Sequence, residues 1–139
     1  MALRRAVAAD IPGMQRVRAS VKENRLVSTT ISDEDVRVAI EETGRGWVVE
    51  EGGEVAAFAI GDATTGNIWA LFVRPESERR GYARQLHDAM IDWLFAAGLE
   101  RLWLTTEPGT RAQRFYEAAG WTQAGTSAHG ELRYEMQRS

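Results

Sequence analysis

The sequence contains no cysteine, and its only two histidines, His87 and His129, lie far apart along the chain. A disulfide framework, a thiolate zinc site and a cysteine nucleophile are therefore excluded, and a histidine-rich metal site has too few ligands. No metal is expected. The formal charge is -3 and no basic run occurs, so there is no electrostatic footprint for nucleic acid and none is expected as a partner. No stretch approaches the roughly 18 apolar residues that span a bilayer. Asp10 and Pro12 interrupt the N-terminal segment where a secretory signal would need an apolar run. The expectation is a soluble cytoplasmic protein with no membrane contact. Only one of the 17 basic residues is a lysine, Lys22, and the three prolines are too few and scattered to form a linker.

What is present is an ordinary globular balance, 44% hydrophobic and 27% charged over 139 residues, which suits one domain spanning 1–139. Leu3 to Val7 reads as a short strand. Asp10 is placed to cap a helix carrying Ile11, Met14, Val17 and Val21 at near-helical spacing. After a loop from Asn24 to Ile31, Ser32 and Asp35 resemble a capping box for a second short helix, with Val36, Ala39, Ile40 and Thr43 on one face and Gly44 and Gly46 at its end. Two β-rich runs, Trp47 to Glu50 and Val55 to Ile60, flank Gly52-Gly53, a hairpin signal. Thr64-Thr65-Gly66 turns into Asn67 to Val73, apolar enough for a strand covered on both faces, and Pro75 stops it. A long helix from Gly81 to Gly98 carries the stripe Tyr82, Leu86, Ala89, Met90, Trp93, Leu94 and Ala97. Arg101 to Thr105 is a strand. Thr110 and Gln113 open a further helix with Ala112, Phe115, Tyr116 and Ala119 inward. Two final strands cover Trp121 to Thr126 and Leu132 to Met136. The order β-α-α-β-β-β-α-β-α-β-β implies an α/β (α+β) fold with a mixed twisted sheet, and Ile68 to Thr105 form one βαβ crossover with parallel strands. Trp47, Trp69, Trp93, Trp103 and Trp121 read as core, and His87 as a flank of the long helix's stripe.

The segment from Leu71 to Leu86 carries the chemistry. A buried strand ends, and Arg79, Arg80 and Gly81 open a helix whose first N–H groups lack intrahelical partners. With the helix dipole those groups form an anion site, and Arg84 adds charge to the same turn. Ala83 keeps the approach open. A pyrophosphate suits this turn; the alternative is a tight turn with solvated arginines. No Gly-Lys-Ser/Thr follows, so it is not a triphosphate P-loop, and one glycine makes a poor dinucleotide fingerprint.

Glu78-Arg-Arg-Gly-Tyr-Ala83 resembles the acetyl-CoA motif of the GNAT superfamily of N-acetyltransferases, Gln/Arg-x-x-Gly-x-Gly/Ala. Glu78 stands where Gln or Arg is usual. Ala112, Phe115, Tyr116, Gly120 and Trp121 are similar to the family's Asn-x-x-Ala-x-x-Phe-Tyr-x-x-x-Gly-Phe, with Gly109 in place of Asn and Trp121 in place of the last Phe. The resemblance covers Trp69 to Trp121. It implies the GNAT fold, a central sheet of about seven strands flanked by about four helices, and acetyl-CoA (coenzyme A) as cofactor.

The resemblance implies roles as well. Pantetheine would lie along the backbone of Leu71, Phe72 and Val73, as an added strand does. Pyrophosphate would rest on Arg79, Arg80, Gly81, Tyr82, Ala83 and Arg84. A backbone N–H of Phe72 or Val73 would steady the oxyanion. Tyr116 would protonate the leaving thiolate; by position alone it reads as a core aromatic with its hydroxyl at the rim. An acceptor amine needs a base. Glu107 and Glu23 are candidates, Asp62 a weaker one, and each reads equally as a solvated carboxylate. Arg18, Lys22 and Arg25 are placed to attract an acidic group on the acceptor or to be solvated. The expected function is transfer of acetyl to a primary amine of a small molecule by direct attack in a ternary complex. A non-catalytic acyl-CoA-binding sensor and a protein N-acetyltransferase are the alternatives. A homodimer is expected, because the last strands leave an edge.

Overall fold

The computed structural model describes residues 2–21 and 31–138. Among the described residues, seven strands and four α-helices follow the expected order: β1 (Ala2–Arg5), α1 (Ile11–Ser20), α2 (Asp33–Glu41), β2 (Gly44–Glu51), β3 (Glu54–Asp62), β4 (Ile68–Val73), α3 (Tyr82–Ala96), β5 (Arg101–Thr106), α4 (Arg111–Ala118), β6 (Thr122–Thr126) and β7 (Leu132–Gln137). They divide into two antiparallel sheets, β1-β2-β3-β4 and β5-β7-β6. The two meet at a single parallel bridge, Asn67 to Trp103, reinforced by the Trp103 N–H donating to the Gly66 carbonyl at 3.0 Å. The crossover from β4 to β5 thus begins parallel and then opens.

The apolar run of β3 follows from cover on both faces, as does the shorter Trp47 to Val49 run in β2, while β4 is apolar throughout but half-buried along most of its length. Side chains alternate between two cores. Trp47, Val49, Ala57, Ala59, Leu71 and Val73 face the core of α3, while Val48, Phe58, Ile60 and Phe72 face α1 and α2. On α3, Leu86, Met90 and Leu94 recur every fourth residue and are fully buried, so one helical stripe seats the helix on β2 to β4. Gly52 and Gly53 take φ of 63° and 82°, the left-handed pair of a tight hairpin.

Several expectations are corrected. Gly44 and Gly46 lie inside β2 rather than ending α2. A Cβ on Gly44 would meet the Gly61 carbonyl and one on Gly46 the Ile40 side chain, so they permit close packing. Thr43 and Val21 lie outside their helices. Asp10 does not cap α1. It is buried, accepting from Arg4 at 2.7 and 2.8 Å and from the Val7 N–H at 2.8 Å. That guanidinium holds the Asp10 carboxyl below its usual pKa. Ser32 and Asp35 do form the reciprocal capping box of α2. Thr110 accepts from the Gln113 N–H, but the Gln113 side chain takes the N–H of Gly109 instead of returning to Thr110. Ala112 is exposed, and Trp69, Trp93 and Trp103 are half-buried; Trp47 and Trp121 are core. Arg45 covers the Trp93 ring and Arg133 that of Trp103, which explains how both tolerate the boundary.

Candidate active site

β4 is paired on one side only. Beyond the Asn67 bridge, its edge toward β5 has no strand partner among the described residues. The Arg74 N–H donates to the Ala56 carbonyl on β3 at 2.9 Å. Backbone groups alternate sides along an antiparallel strand. Phe72 therefore points its N–H at β3, like Arg74, and Leu71 and Val73 turn theirs to the open edge. Of the two proposed oxyanion donors, geometry favours Val73.

β4 then feeds a loop that opens α3. Arg79 has φ of 66°, the one non-glycine residue with positive φ among those described, and Gly81, the N-cap of α3, has φ of 82°. No side chain caps this helix, and its first internal bond is Gln85 N–H to the Gly81 carbonyl at 3.1 Å. The N–H groups of Tyr82, Ala83 and Arg84 are left for an external acceptor. Arg79, Arg80 and Arg84 are exposed around them. An uncapped helix start with exposed arginines at 79, 80 and 84, of which Arg80 pairs with Glu51 and Arg84 with Asp88, runs on from an unpaired strand edge and fits the diphosphate and amide-rich arm of coenzyme A.

Sequence reasoning did not find what holds this loop. Glu51, at the end of β2, accepts from Ser77 Oγ at 2.8 Å, Arg74 Nη2 at 3.0 Å and Tyr82 OH at 2.6 Å, and from Arg80 Nη1. Led by the Tyr82 hydroxyl, then Ser77 and Arg74, these donors lower its carboxyl to about 2. Glu51 lies 29 residues before Arg80, and no local pattern marks it. Glu78, the departure from the motif, forms an ion pair with Arg111 on α4 at 2.6 Å. Its charge is thereby offset beside the uncapped turn, and the starts of α3 and α4 are tied together.

Tyr116 is buried, 7% exposed, and packs edge-on against Phe115 and Trp121, with ring centres 5.4 and 5.7 Å away. Burial pushes its phenol above the ordinary value of 10. It therefore stays protonated at neutral pH, the form a proton donor requires. His87 is not a flank of the α3 stripe but is buried, 3% exposed. Its Nε2 accepts from Trp121 Nε1 at 3.0 Å, so the proton sits on Nδ1, which donates to Asp88 Oδ1 at 2.9 Å. Desolvation lowers its pKa below 6.5. Through His87 and Trp121, α3 fixes the ring beside Tyr116.

Glu107 follows β5, half-buried, and its carbonyl accepts from Thr110 Oγ1 at 2.8 Å at the start of α4. Asp62 is occupied in its own turn, accepting from Thr64 N–H at 2.7 Å and Thr64 Oγ1 at 2.5 Å. Glu23, Lys22 and Arg25 lie outside the described residues. On the face of β4 opposite α3, a mostly apolar cleft is lined by Met14, Gln15 and Arg18 of α1, Phe58 of β3, and Trp69 and Phe72 of β4. β4 thus separates the α3 side from this cleft.

The acetyltransferase (GNAT) family profile matches residues 14–121, and the chain belongs to that family. It is 36% identical over 105 residues to the mycothiol acetyltransferase of Beutenbergia cavernae, covering 68% of this chain and 35% of that protein. It is 37% identical over 57 residues to the [ribosomal protein bS18]-alanine N-acetyltransferase of Haemophilus ducreyi, 40% of this chain and 39% of the relative. The chain therefore spans little more than a third of either curated relative. Its fold is similar to the PaiA N-acetyltransferase of Thermoplasma acidophilum solved with coenzyme A, with TM-score 0.83, 12% identity and coverage of 99% and 98% of the two chains.

Proposed function

We propose that this chain catalyses acetyl-CoA-dependent N-acetylation of a primary amine on a small molecule, by direct attack in a ternary complex. The observation that carries the reading is the uncapped start of α3, which carries the exposed Arg79, Arg80 and Arg84 and is continuous with the unpaired edge of β4. Tyr82, Ala83 and Arg84 hold the diphosphate by their N–H groups, and Leu71 and Val73 hold the pantetheine amides. Acetyl-CoA, when bound, supplies an acetyl thioester. The Val73 N–H donates to the carbonyl oxygen as negative charge grows there. The protonated Tyr116 hydroxyl delivers its proton toward the departing sulfur. A carboxylate, Glu107 or Glu23, takes the proton that the attacking amine must lose. The cleft between α1 and β4 receives the apolar body of the acceptor, with Gln15 and Arg18 at its polar rim.

A small acceptor is supported by the longer of the two relative matches, which is to a mycothiol acetyltransferase. A protein N-terminus is the second reading, favoured by the shorter match. A screen of acetyl-CoA-dependent thiol release separates them, run across amines, amino acids, polyamines and peptides with N-terminal alanine. Turnover with small amines supports the proposal. Turnover confined to peptides replaces it with the second reading. CoA binding without turnover on any acceptor would leave a binding module.

A further inference from the structure

Glu51 belongs to no motif and sits on a different strand from the loop it contacts, yet its two oxygens divide that loop between them. Oε1 accepts from Arg74 and Ser77 at the loop's beginning, and Oε2 from Arg80 and Tyr82 at its end. The start is locked further, because Arg74 Nε donates to Ser77 Oγ at 2.8 Å and Ser77 is fully buried. Between these anchors the backbone takes the left-handed conformation at Arg79 and again at Gly81. A non-glycine residue holds that conformation only where surrounding contacts over-determine it. The contacts on Glu51 are of that kind.

We propose that Glu51 is a positioning residue for the anion site: by clamping both ends of the 74–82 loop it aims the N–H groups of Tyr82, Ala83 and Arg84 and holds Arg80 at the rim. It does so without touching the cofactor. Two guanidiniums, Arg74 and Arg80, offset its charge, so it does not repel a diphosphate. The ordering of the loop is completed before ligand arrives, which removes that cost from binding.

The inference rests on the coenzyme A reading of this loop, and the test separates the two. Glu51→Ala removes all four contacts; Glu51→Gln keeps the shape and removes the charge. Binding of CoA is measured by calorimetry, and binding of pantetheine, which lacks the diphosphate, by ligand-observed NMR. Amide exchange is followed in the ligand-free proteins. CoA affinity is expected to weaken about tenfold in Glu51→Ala and less in Glu51→Gln, with pantetheine unchanged within about twofold. In turnover assays the loss falls on KM for acetyl-CoA rather than on kcat. Exchange at residues 77–84 accelerates while the amides of β3 keep their protection. Equal losses for CoA and pantetheine mean general damage and overturn the proposal, as does unchanged CoA affinity in a folded variant. If Glu51→Ala does not fold, Glu51→Gln carries the same comparison. Wild-type protein that binds no CoA overturns the cofactor reading itself.

Discussion

At Tyr116 two demands meet in one side chain: the ring is core and the hydroxyl is the proposed acid. Tyr116→Phe keeps the ring contacts with Phe115 and Trp121 and removes only the donor. The expected outcome is a lowered kcat with acetyl-CoA affinity nearly intact, because the proton moves only on the reaction path. A positioned acid contributes about 10²–10⁴-fold, and the low end applies because a thiolate leaves readily. A kcat within about twofold of wild type, with chemistry rate-limiting, makes Tyr116 a packing residue. Gly81 tests the other half of the site. Its Cβ position is open, with only Gln85 Nε2 at 3.8 Å, so space does not demand glycine; the φ of 82° does. Gly81→Ala therefore costs only the strain, about 1–2 kcal/mol. Gly81→Asp adds a carboxylate facing the diphosphate and should nearly abolish CoA binding by calorimetry. Equal CoA affinities for the folded Ala and Asp variants would remove the anion from this turn.

The elements are coupled more tightly than their separation in sequence suggests. α3 presents His87 to Trp121, and Trp121 packs on Tyr116, so the long helix that begins at the proposed anion site also supports the proposed acid. This coupling depends on pH. The folded pKa of His87 lies below the unfolded 6.5, chiefly through desolvation, with Asp88 and Asp92 opposing and Arg84 reinforcing the shift. Below pH 6.5 the unfolded chain binds a proton that the folded one resists. Stability is full above that value and declines as pH falls toward the folded pKa. Glu51 acts in the same direction at lower pH, its contribution being lost as pH falls from 4.5 through about 2. Thermal melts of wild type should therefore drop between neutrality and pH 5. His87→Leu should be less stable at pH 8, by about 1–3 kcal/mol for the acceptor lost to the buried Trp121 N–H. It should also show a flatter profile just below pH 6.5. A parallel profile would assign the acid sensitivity to other groups.

For the whole molecule, the decisive feature is that two sheets touch at Asn67 and Trp103 and then part, opening the edge of β4. The three-stranded sheet ends in β6, whose five residues, Thr122 to Thr126, are all exposed and pair only with β7 among the described strands. An open edge invites pairing with another chain, and we propose a homodimer built there. Sedimentation at micromolar concentration should give a species near twice 15.5 kDa. A monomer alone would refute it. Introducing proline at Gln123, which pairs with Tyr134, is a poor test because it disturbs β7 as well. Placing a lysine at Gln123 or Ala124, both exposed on a strand that carries no charge of its own, is the cleaner disruption.

The sequence by itself determined whatever depends on neighbours along the chain. Helical and alternating apolar periods, the Ser32 cap, the Gly52-Gly53 hairpin and the glycine opening α3 are all local, and they yield the element order, the two-faced central strands and the uncapped turn that starts α3. The tertiary structure alone decided what depends on residues meeting across tens of positions. Gly44 and Gly46 look like a helix stop until Gly61 and Ile40 are brought against them. His87 looks like the edge of a stripe until Trp121, 34 residues on, donates to it. Glu51 looks like one more carboxylate beside a hairpin until β2 delivers it to Arg74, Ser77, Arg80 and Tyr82. Hydrogen bonds and close packing require contact in space, and sequence spacing carries no record of which distant strand end will supply it.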